Sequence, residues 1–391
     1  MADESARQQP PDWRRRIATL LQRSRAGIDR VAEVTWRRVT RRMGFGQPGH
    51  IAAYHGYGNQ DSVWVTGRLL ANRPFGGPRD DDNWWDNIRA TYRRWESDEI
   101  TGATVELSYA EHRADVVTDN EGYYSARFPR SAVRPDTYKV IARHRGERQV
   151  LNAEHWLALP DTDARLMVIS DIDDTVIHTG ITDLTTAAQL TFLNNAKTRK
   201  PLAGVAGLYQ ALTQAGGTQN PVFYVSNSAW NMYDLLRDFL DLNDLPKGPL
   251  LLRDLDLAKI IAGEENTHKR DRIEELIQRI PLPAILIGDS GQHDATLYAE
   301  IATRHPNRIW AIYIRDIDPG VDSRYDLKVD TLISEYADVP MVRVQDSNDI
   351  AAHLAQLGLL RRDALGAVTT ETATDADRDT LPGQMKDQAD R

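Results

Sequence analysis

The 391-residue chain contains no cysteine, which excludes disulfide bonds, thiolate nucleophiles and cysteine-bound zinc or iron–sulfur sites. It also has no apolar run near the roughly 18 residues that a membrane-spanning helix needs. The N-terminal sequence "MADESARQQPPDWRRR" lacks the apolar stretch of a secretory signal, so we expect a cytoplasmic location. Hydrophobic residues make up 41% and charged residues 27% of the chain. This composition is typical of a globular protein, and the length predicts two or three domains.

The net charge of −9 is unevenly distributed along the chain. Residues 1–45 hold eleven Arg against five Asp and Glu, a local balance of +6 that leaves −15 for the remainder. The acidic remainder argues against nucleic-acid binding and leaves the basic arm to bind another partner. Residues 13–42 have the apolar periodicity of one amphipathic helix. Such a helix either lies peripherally on an anionic membrane surface or docks on protein, and the pattern leaves both open.

The pattern of apolar and polar residues changes twice along the rest of the chain. Residues 46–160 contain short runs rich in Val, Thr and Tyr, such as "SVWVTGRLL" and "TYKVIARHRG", which predict a small β-sandwich domain. Residues 161–361 alternate helical segments with near-continuous apolar runs such as "LMVIS", "PVFYVS", "AILIGDS" and "RIWAIYIRD". This alternation predicts an α/β domain with a doubly wound, mostly parallel sheet. Residues 362–391 are polar and free of aromatic residues, which predicts a disordered tail.

Six polar side chains directly follow predicted strands or lie near the starts of predicted helices. They are Asp171, Asp173, Ser226, Lys269, Asp289 and Asp294. In open α/β sheets, ligands bind beyond the carboxyl ends of the strands, so we expect these side chains to converge at one edge. Each alone could be a helix cap or a solvated residue. Their combination, in chain order, predicts a functional cluster.

The residue types in this cluster indicate the chemistry. Carboxylates at one edge of a buried sheet repel each other unless a cation neutralises them, and oxygen ligands without cysteine suit Mg²⁺. Lys269 and the hydroxyl of Ser226 can donate hydrogen bonds to a phosphate at the same place. Together these groups predict phosphoryl transfer by positioning and charge neutralisation.

Four motifs carry a resemblance to a known superfamily. In their order along the chain, "DIDDT", "YVSNS", Lys269 and "GDSGQHD" resemble the motifs of the haloacid-dehalogenase-like (HAD-like) phosphohydrolases. The surrounding text over residues 166–318 resembles the family of the phosphatidate phosphatase App1 catalytic domain, although His178 stands where many relatives have a lysine. The resemblance implies an HAD-like fold and a Mg²⁺-dependent phosphatase that acts on phosphatidate or a related lipid phosphate.

The resemblance also implies roles for individual residues. Asp171 is the nucleophile that forms an aspartyl-phosphate. Asp173 is the general acid and base, and its carboxylate neighbours are expected to raise its pKa. The metal is bound by four aspartates, one of them through its main-chain oxygen: Asp171, Asp173 (main chain), Asp289 and Asp294. The phosphoryl oxygens are bound by Ser226, Asn227 and Lys269.

The spacing of the motifs bears on the substrate. Only 55 positions separate Asp171 from Ser226, and 43 separate Ser226 from Lys269, which leaves no room for a large cap domain. An open site favours a bulky or membrane-embedded substrate. Two alternatives stay open: a soluble phosphomonoesterase for a metabolite or phosphoprotein, with residues 13–42 serving oligomerisation, and a non-catalytic protein whose β-sandwich binds a partner.

Overall fold

The computed structural model describes residues 49–71, 99–132, 138–146, 149–177, 201–253, 267–291, 293–317, 323–336 and 339–379. Residues 13–42, for which the sequence predicts an amphipathic helix, lie outside these ranges. Residues 178–200 also lie outside these ranges. They include His178 and part of the interval between Asp171 and Ser226, whose length predicts an open site. None of the helices in the described ranges is long and apolar enough to cross a membrane.

The first part of the described chain forms a mixed β-sheet. Its strands are β1 (His50–Ala53), β2 (Gly56–Gly58), β3 (Ser62–Leu70), β4 (Thr104–Tyr109), β5 (His112–Val117), β6 (Tyr123–Pro129), β7 (Lys139–Arg145) and β8 (Val150–Ala158). They pair in the order β1-β3-β2-β8-β7-β4-β5, and β6 pairs with β3. Strand β8 pairs antiparallel with β7 along most of its length and parallel with β2 at its end. The inward side chains form one apolar core that includes Val63, Leu107 and Val140. Whether this arrangement is a β-sandwich stays a prediction.

The second part contains a six-stranded parallel sheet. Its strands are β9 (Met167–Ser170), β10 (Val222–Ala229), β11 (Leu250–Arg253), β12 (Ala284–Asp289), β13 (Ile309–Arg315) and β14 (Met341–Val344). They pair in the order β11-β10-β9-β12-β13-β14, and every neighbouring pair is parallel. Counted from β9, the order is 3-2-1-4-5-6, in which the crevice at the reversal point between β9 and β12 is the usual ligand site.

Helices cover both faces of the parallel sheet. The described residues form α1 (Val205–Thr213), α2 (Tyr233–Leu242), α3 (His268–Arg279), α4 (Asp294–Arg304), α5 (Arg324–Glu335), α6 (Ser347–Gln356) and α7 (Arg362–Asp379). One core contains residues of α1, α2, α6 and α7 with Val168 of β9, and the other contains residues of α3, α4 and α5 with Met167 and Ile169. Adjacent residues of β9 therefore enter opposite cores, which explains the continuous apolar run in its sequence.

The two parts of the molecule pack together close to the end of β10. The ring of Tyr54, between β1 and β2, stacks on Trp230 with 4.2 Å between ring centroids. The N–H of His55 donates a hydrogen bond to the hydroxyl of Tyr233 at 2.7 Å. Trp230 follows Ser228 by two residues. The β-rich part therefore packs against the segment that directly follows β10.

The prediction of disorder from residue 362 is wrong for the first part of the tail, because these residues form α7. Val368 is fully buried in the core. The carboxylates of Glu371 and Asp375 accept hydrogen bonds from the N–H groups of Gly207 and Gly204, each at 3.0 Å. These N–H groups belong to the first turn of α1, which has no internal partner for them and favours negative charge. The polar composition that suggested disorder therefore includes the groups that dock α7.

Candidate active site

Three buried aspartates meet at the reversal point between β9 and β12. Asp171 is the first residue after β9, Asp289 is the last residue of β12, and Asp294 begins α4. One carboxylate oxygen from each lies within 4.8 Å of the others. The N–H of Asp171 donates to the main-chain oxygen of Ile287 at 2.9 Å, which ties the segment after β9 to β12. The expected convergence of these three residues is therefore observed.

A glycine in β12 allows α4 to approach this closely. A Cβ atom on Gly288 would lie 2.4 Å from Oδ2 of Asp294 and 2.8 Å from the ring of Tyr298. Both distances are too short for any side chain, so a residue other than glycine would push the start of α4 away. The same oxygen of Asp294 accepts a long hydrogen bond, 3.4 Å, from the N–H of Asp289.

Lys269 supplies a positive charge to this group from the first turn of α3. Its Nζ lies 2.9 Å from Oδ1 of Asp171 and donates to Oδ1 of Asp294 at 2.6 Å. Burial lowers the pKa of Lys269, but the carboxylates of Asp171, Asp294 and Asp289 outweigh burial and raise the pKa above its usual value. The side chain is therefore an ammonium ion despite being only 4% exposed.

The cluster nevertheless carries more negative than positive charge. Three carboxylates surround one ammonium group. Neither carboxylate oxygen of Asp171 accepts a hydrogen bond from a described residue, although Oδ1 is in ion-pair contact with Lys269. Burial raises the pKa of Asp171 strongly, Lys269 lowers it, and Asp294 and Asp289 raise it further. A hard divalent cation such as Mg²⁺ fits this all-oxygen donor set, since it would allow all three carboxylates to ionise.

Asp173 lies beside the cluster, in a tight turn that follows β9. The main-chain oxygen of Ile172 accepts hydrogen bonds from the N–H groups of Val176 at 2.9 Å and Ile177 at 3.0 Å. Asp174 has a φ of 55°, which aspartate tolerates better than most residues. Asp173 is not one of the three aspartates that could share a metal through their carboxylates in the described chain.

Two serines of β10 hold the carboxylate of Asp173. Its Oδ2 accepts hydrogen bonds from the hydroxyls of Ser226 at 3.0 Å and Ser228 at 3.3 Å. The pKa of Asp173 is raised, mainly by burial, while the hydrogen bond from Ser226 opposes the shift. Neighbouring carboxylates were expected to raise this pKa, but burial has the larger effect. A protonated Asp173 is what a general acid requires.

Ser228 is the site residue that the sequence analysis missed. Alternation along β10 puts residues two apart on the same side of the strand, so Ser226 could have identified Ser228 in "YVSNS". Asn227, predicted to bind phosphate, lies between them and is half-buried. Its predicted role in binding phosphate stays a prediction.

One comparison with known proteins concerns the segment that contains these residues. Residues 166–316 match the family model described as "Phosphatidate phosphatase APP1, catalytic domain". The phosphatidate phosphatase APP1 of Saccharomyces cerevisiae is 35% identical over 153 residues, which are 38% of this chain and 25% of that protein. An uncharacterised protein of Schizosaccharomyces pombe is 28% identical over 212 residues, 52% of this chain and 34% of that protein. The chain thus spans a quarter to a third of the length of these curated relatives.

The expected resemblance to this phosphatase family is confirmed for the matched segment. All six polar residues singled out in the sequence lie within residues 166–316, the segment that matches this family model. Among solved structures, a carbohydrate acetylesterase from Xanthomonas citri aligns with 75% of this chain and 66% of its own chain at 11% identity. The TM-score of 0.28 establishes no common fold.

Proposed function

We propose that the protein is a Mg²⁺-dependent phosphatase with an HAD-like catalytic domain, which hydrolyses phosphatidate or a related lipid phosphate through an aspartyl-phosphate. The observation that carries the proposal is the buried group of Asp171, Asp289 and Asp294 around Lys269. It lies inside the segment that matches a phosphatidate phosphatase catalytic domain. The activity of the whole chain is inferred from this segment.

The cation would be held by the carboxylates of Asp171, Asp289 and Asp294, with the main-chain oxygen of Asp173 as a further ligand. The donor set fits because it is made of oxygens and its charge exceeds what Lys269 neutralises. When bound, Mg²⁺ would offset the negative charge that the phosphoryl oxygens bring to the carboxylates.

In the first step, a carboxylate oxygen of Asp171 forms a bond to phosphorus while the ester P–O bond breaks. Asp173 gives its proton to the departing alkoxide, so that the alcohol leaves neutral. Two observations support these roles. Burial raises the pKa of Asp171, and the ammonium group of Lys269 opposes that rise at a distance of 2.9 Å from its Oδ1; burial also raises the pKa of Asp173 and so favours its protonated form.

In the second step, Asp173, now ionised, takes a proton from a water molecule whose oxygen attacks phosphorus. The P–O bond to Asp171 breaks, inorganic phosphate leaves, and both aspartates return to their starting protonation states. The hydroxyls of Ser226 and Ser228 hold the Asp173 carboxylate in place through both steps. Lys269 stays close enough to stabilise charge on the phosphoryl oxygens.

Phosphate release from phosphatidate in mixed micelles tests the proposal directly. We expect release that requires Mg²⁺, stops on addition of a chelator, and exceeds the release from a panel of soluble phosphomonoesters. A chain lacking residues 1–45 should lose activity mainly on micelles if the basic arm binds the lipid surface. Release from soluble esters alone would indicate a metabolite phosphatase instead. Release from no substrate would refute the proposal of an enzyme.

Asp173→Asn should separate the two steps when the leaving group is varied. We expect formation of the aspartyl-phosphate to slow by about 10²–10⁴-fold with an alkyl phosphate, whose alkoxide needs a proton. With p-nitrophenyl phosphate, the leaving group needs no proton, so one equivalent of nitrophenol should appear in a rapid burst before slow turnover. Rapid-mixing kinetics measure the burst. An equal loss of the first step for both substrates would argue against an acid role for Asp173.

A further inference from the structure

Two consecutive buried hydrogen bonds lead from helix α1 to the main chain of Asp171. Ser170, the last residue of β9, donates from its Oγ to the main-chain oxygen of Asp171 at 2.5 Å. The same Oγ lies 2.6 Å from the hydroxyl oxygen of Tyr209, which belongs to α1. Both side chains are fully buried. The two hydrogen bonds therefore end on the peptide group that directly follows the proposed nucleophile.

The chemistry of the groups determines the direction of both hydrogen bonds. A carbonyl oxygen only accepts, so the single proton of the Ser170 hydroxyl goes to the main-chain oxygen of Asp171. Only lone pairs of Ser170 are then left for Tyr209, so the phenol donates. Burial raises the pKa of Tyr209 above its usual value, while the hydrogen bond with Ser170 and the charge of Arg315 oppose the rise. The phenol therefore keeps its proton at neutral pH and remains a donor.

Tyr209 is itself held in place by packing and by the docking of α1. Its ring lies parallel to that of Tyr224 in β10, with 6.3 Å between the ring centroids and 1° between the ring planes. The first turn of α1 is fixed by the hydrogen bonds that the N–H groups of Gly204 and Gly207 donate to α7. Tyr209 follows Gly207 by two residues. Its hydroxyl is therefore carried by a helix whose start and packing face are both fixed, which allows accurate placement of the group it contacts.

The peptide group after Asp171 lies where the backbone leaves the sheet. The N–H of Asp171 still donates to the main-chain oxygen of Ile287 in β12 at 2.9 Å. The oxygen of Ile172, the next residue, already belongs to the tight turn that contains Asp173. The orientation of the peptide between Asp171 and Ile172 therefore affects both the direction of the Asp171 carboxylate and the place of the Asp173 main-chain oxygen, the further ligand proposed for the cation.

We propose that Tyr209 and Ser170 are positioning residues for phosphoryl transfer, which hold the peptide after Asp171 so that its carboxylate is aligned for attack on phosphorus. The inference rests on the proposed phosphatase function. Both side chains act through the main chain of Asp171 and leave the phosphoryl oxygens to Ser226 and Lys269. Hydrogen-bond partners that orient a metal ligand contribute about 10–100-fold to activity, and a small misplacement of a reacting group has an effect of similar size.

Tyr209→Phe tests the role kinetically, because it removes the phenolic hydroxyl and keeps the ring. For the phosphate ester that the wild type hydrolyses fastest, we expect kcat to fall by about 10–100-fold. KM should stay within about twofold of wild type, because the groups proposed to bind the phosphoryl oxygens lie on β10 and α3. Steady-state rates of phosphate release measure both constants.

The matched control is Tyr224→Phe, which changes the ring stacked on Tyr209. Tyr224 is equally buried, and its hydroxyl donates to the main-chain oxygen of Pro246 at 2.9 Å. Its kcat and KM should both stay within about twofold of wild type, as for changes away from the reacting groups. An unchanged kcat in Tyr209→Phe, or an equal fall in Tyr224→Phe, overturns the inference.

Ser170→Ala tests whether the two hydrogen bonds act in series. It removes the group through which Tyr209 acts, so we expect kcat to fall at least as far as in Tyr209→Phe. Adding Tyr209→Phe to Ser170→Ala should then lower kcat by no more than about a further twofold. Losses that multiply in the double variant would mean that the two side chains act independently, and they would refute the series.

Amide hydrogen exchange keeps the inference independent of turnover and of the metal. In the turn after β9, the N–H groups of Val176 and Ile177 donate to Ile172. In the full-length, metal-free protein, Tyr209→Phe should speed exchange in peptides that cover residues 172–177 by about tenfold, the scale of losing one buried hydrogen bond. Tyr224→Phe should exchange there as the wild type does.

The exchange result separates failure of the positioning role from failure of the phosphatase function. If the wild type hydrolyses no phosphate ester but Tyr209→Phe alone speeds exchange in residues 172–177, the phosphatase proposal fails and the role of Tyr209 in holding this segment stands. If exchange in this segment is the same in wild type and Tyr209→Phe, the positioning role is refuted, whatever the effect on kcat.

Discussion

Asp171→Asn should abolish turnover and leave the protein folded: we expect kcat to fall by at least about 10⁴-fold, the scale of losing a nucleophile. The amide has the shape of the carboxylate but cannot attack phosphorus. The fold should tolerate the change, because the substitution removes one charge from a buried group in which three carboxylates share one ammonium. Initial rates of phosphate release measure the loss, and thermal unfolding checks the fold.

The matched control is Asp174→Asn, three positions further along the same turn. Asp174 is also buried, and its φ of 55° is one that asparagine adopts readily. We expect its activity to stay within about twofold of wild type, as for changes that touch no reacting group. Near-normal turnover by Asp171→Asn would refute the assignment of the nucleophile. Equal losses in both variants would indicate that the turn, rather than the carboxylate, is what matters.

The position of the acidic cluster could be predicted because it depends on general properties of parallel sheets. Apolar runs identify β9 and β12 as buried strands, and the carboxyl ends of such strands form one edge. Asp171 and Asp289 were therefore expected at the same edge of the sheet, and they meet because β9 and β12 are neighbouring strands. The sequence did not contain the reason why Asp294 comes so close. That depends on the space left by Gly288, which is a property of the packed helix and not of the motif.

Other features could not be predicted because they depend on which surfaces meet. Glu371 and Asp375 belong to a polar segment that the sequence predicts to be disordered, and only the structure shows that they accept hydrogen bonds from the N–H groups of Gly207 and Gly204. The amino-acid composition gives the number of charged residues, but it does not show which of them are paired in the folded protein.

Lys269→Met should destabilise the protein by about 3–5 kcal/mol, the usual effect of removing one partner from a buried ion pair. The substitution keeps the length of the side chain but leaves Asp171, Asp289 and Asp294 without their cation. Saturating Mg²⁺ should restore part of the loss, because the metal neutralises the same carboxylates. Chemical denaturation with and without Mg²⁺ measures both effects. The control is Lys139→Met, which breaks an exposed pair with Glu154 and should cost less than about 1 kcal/mol.

The pH dependence of this loss gives an independent check on its cause. Burial raises the pKa of Asp171 in the folded protein and the ammonium of Lys269 opposes that rise, so without Lys269 the pKa should rise further above that of the unfolded chain. The folded state then binds more protons, so stability falls as pH rises from the unfolded pKa, about 3.9, through the raised folded pKa. We therefore expect the difference in Tm between Lys269→Met and wild type to shrink as the pH is lowered towards 4. A difference that does not vary with pH, and that Mg²⁺ does not reduce, would mean that Lys269 stabilises the fold by packing and that the carboxylates do not depend on its charge.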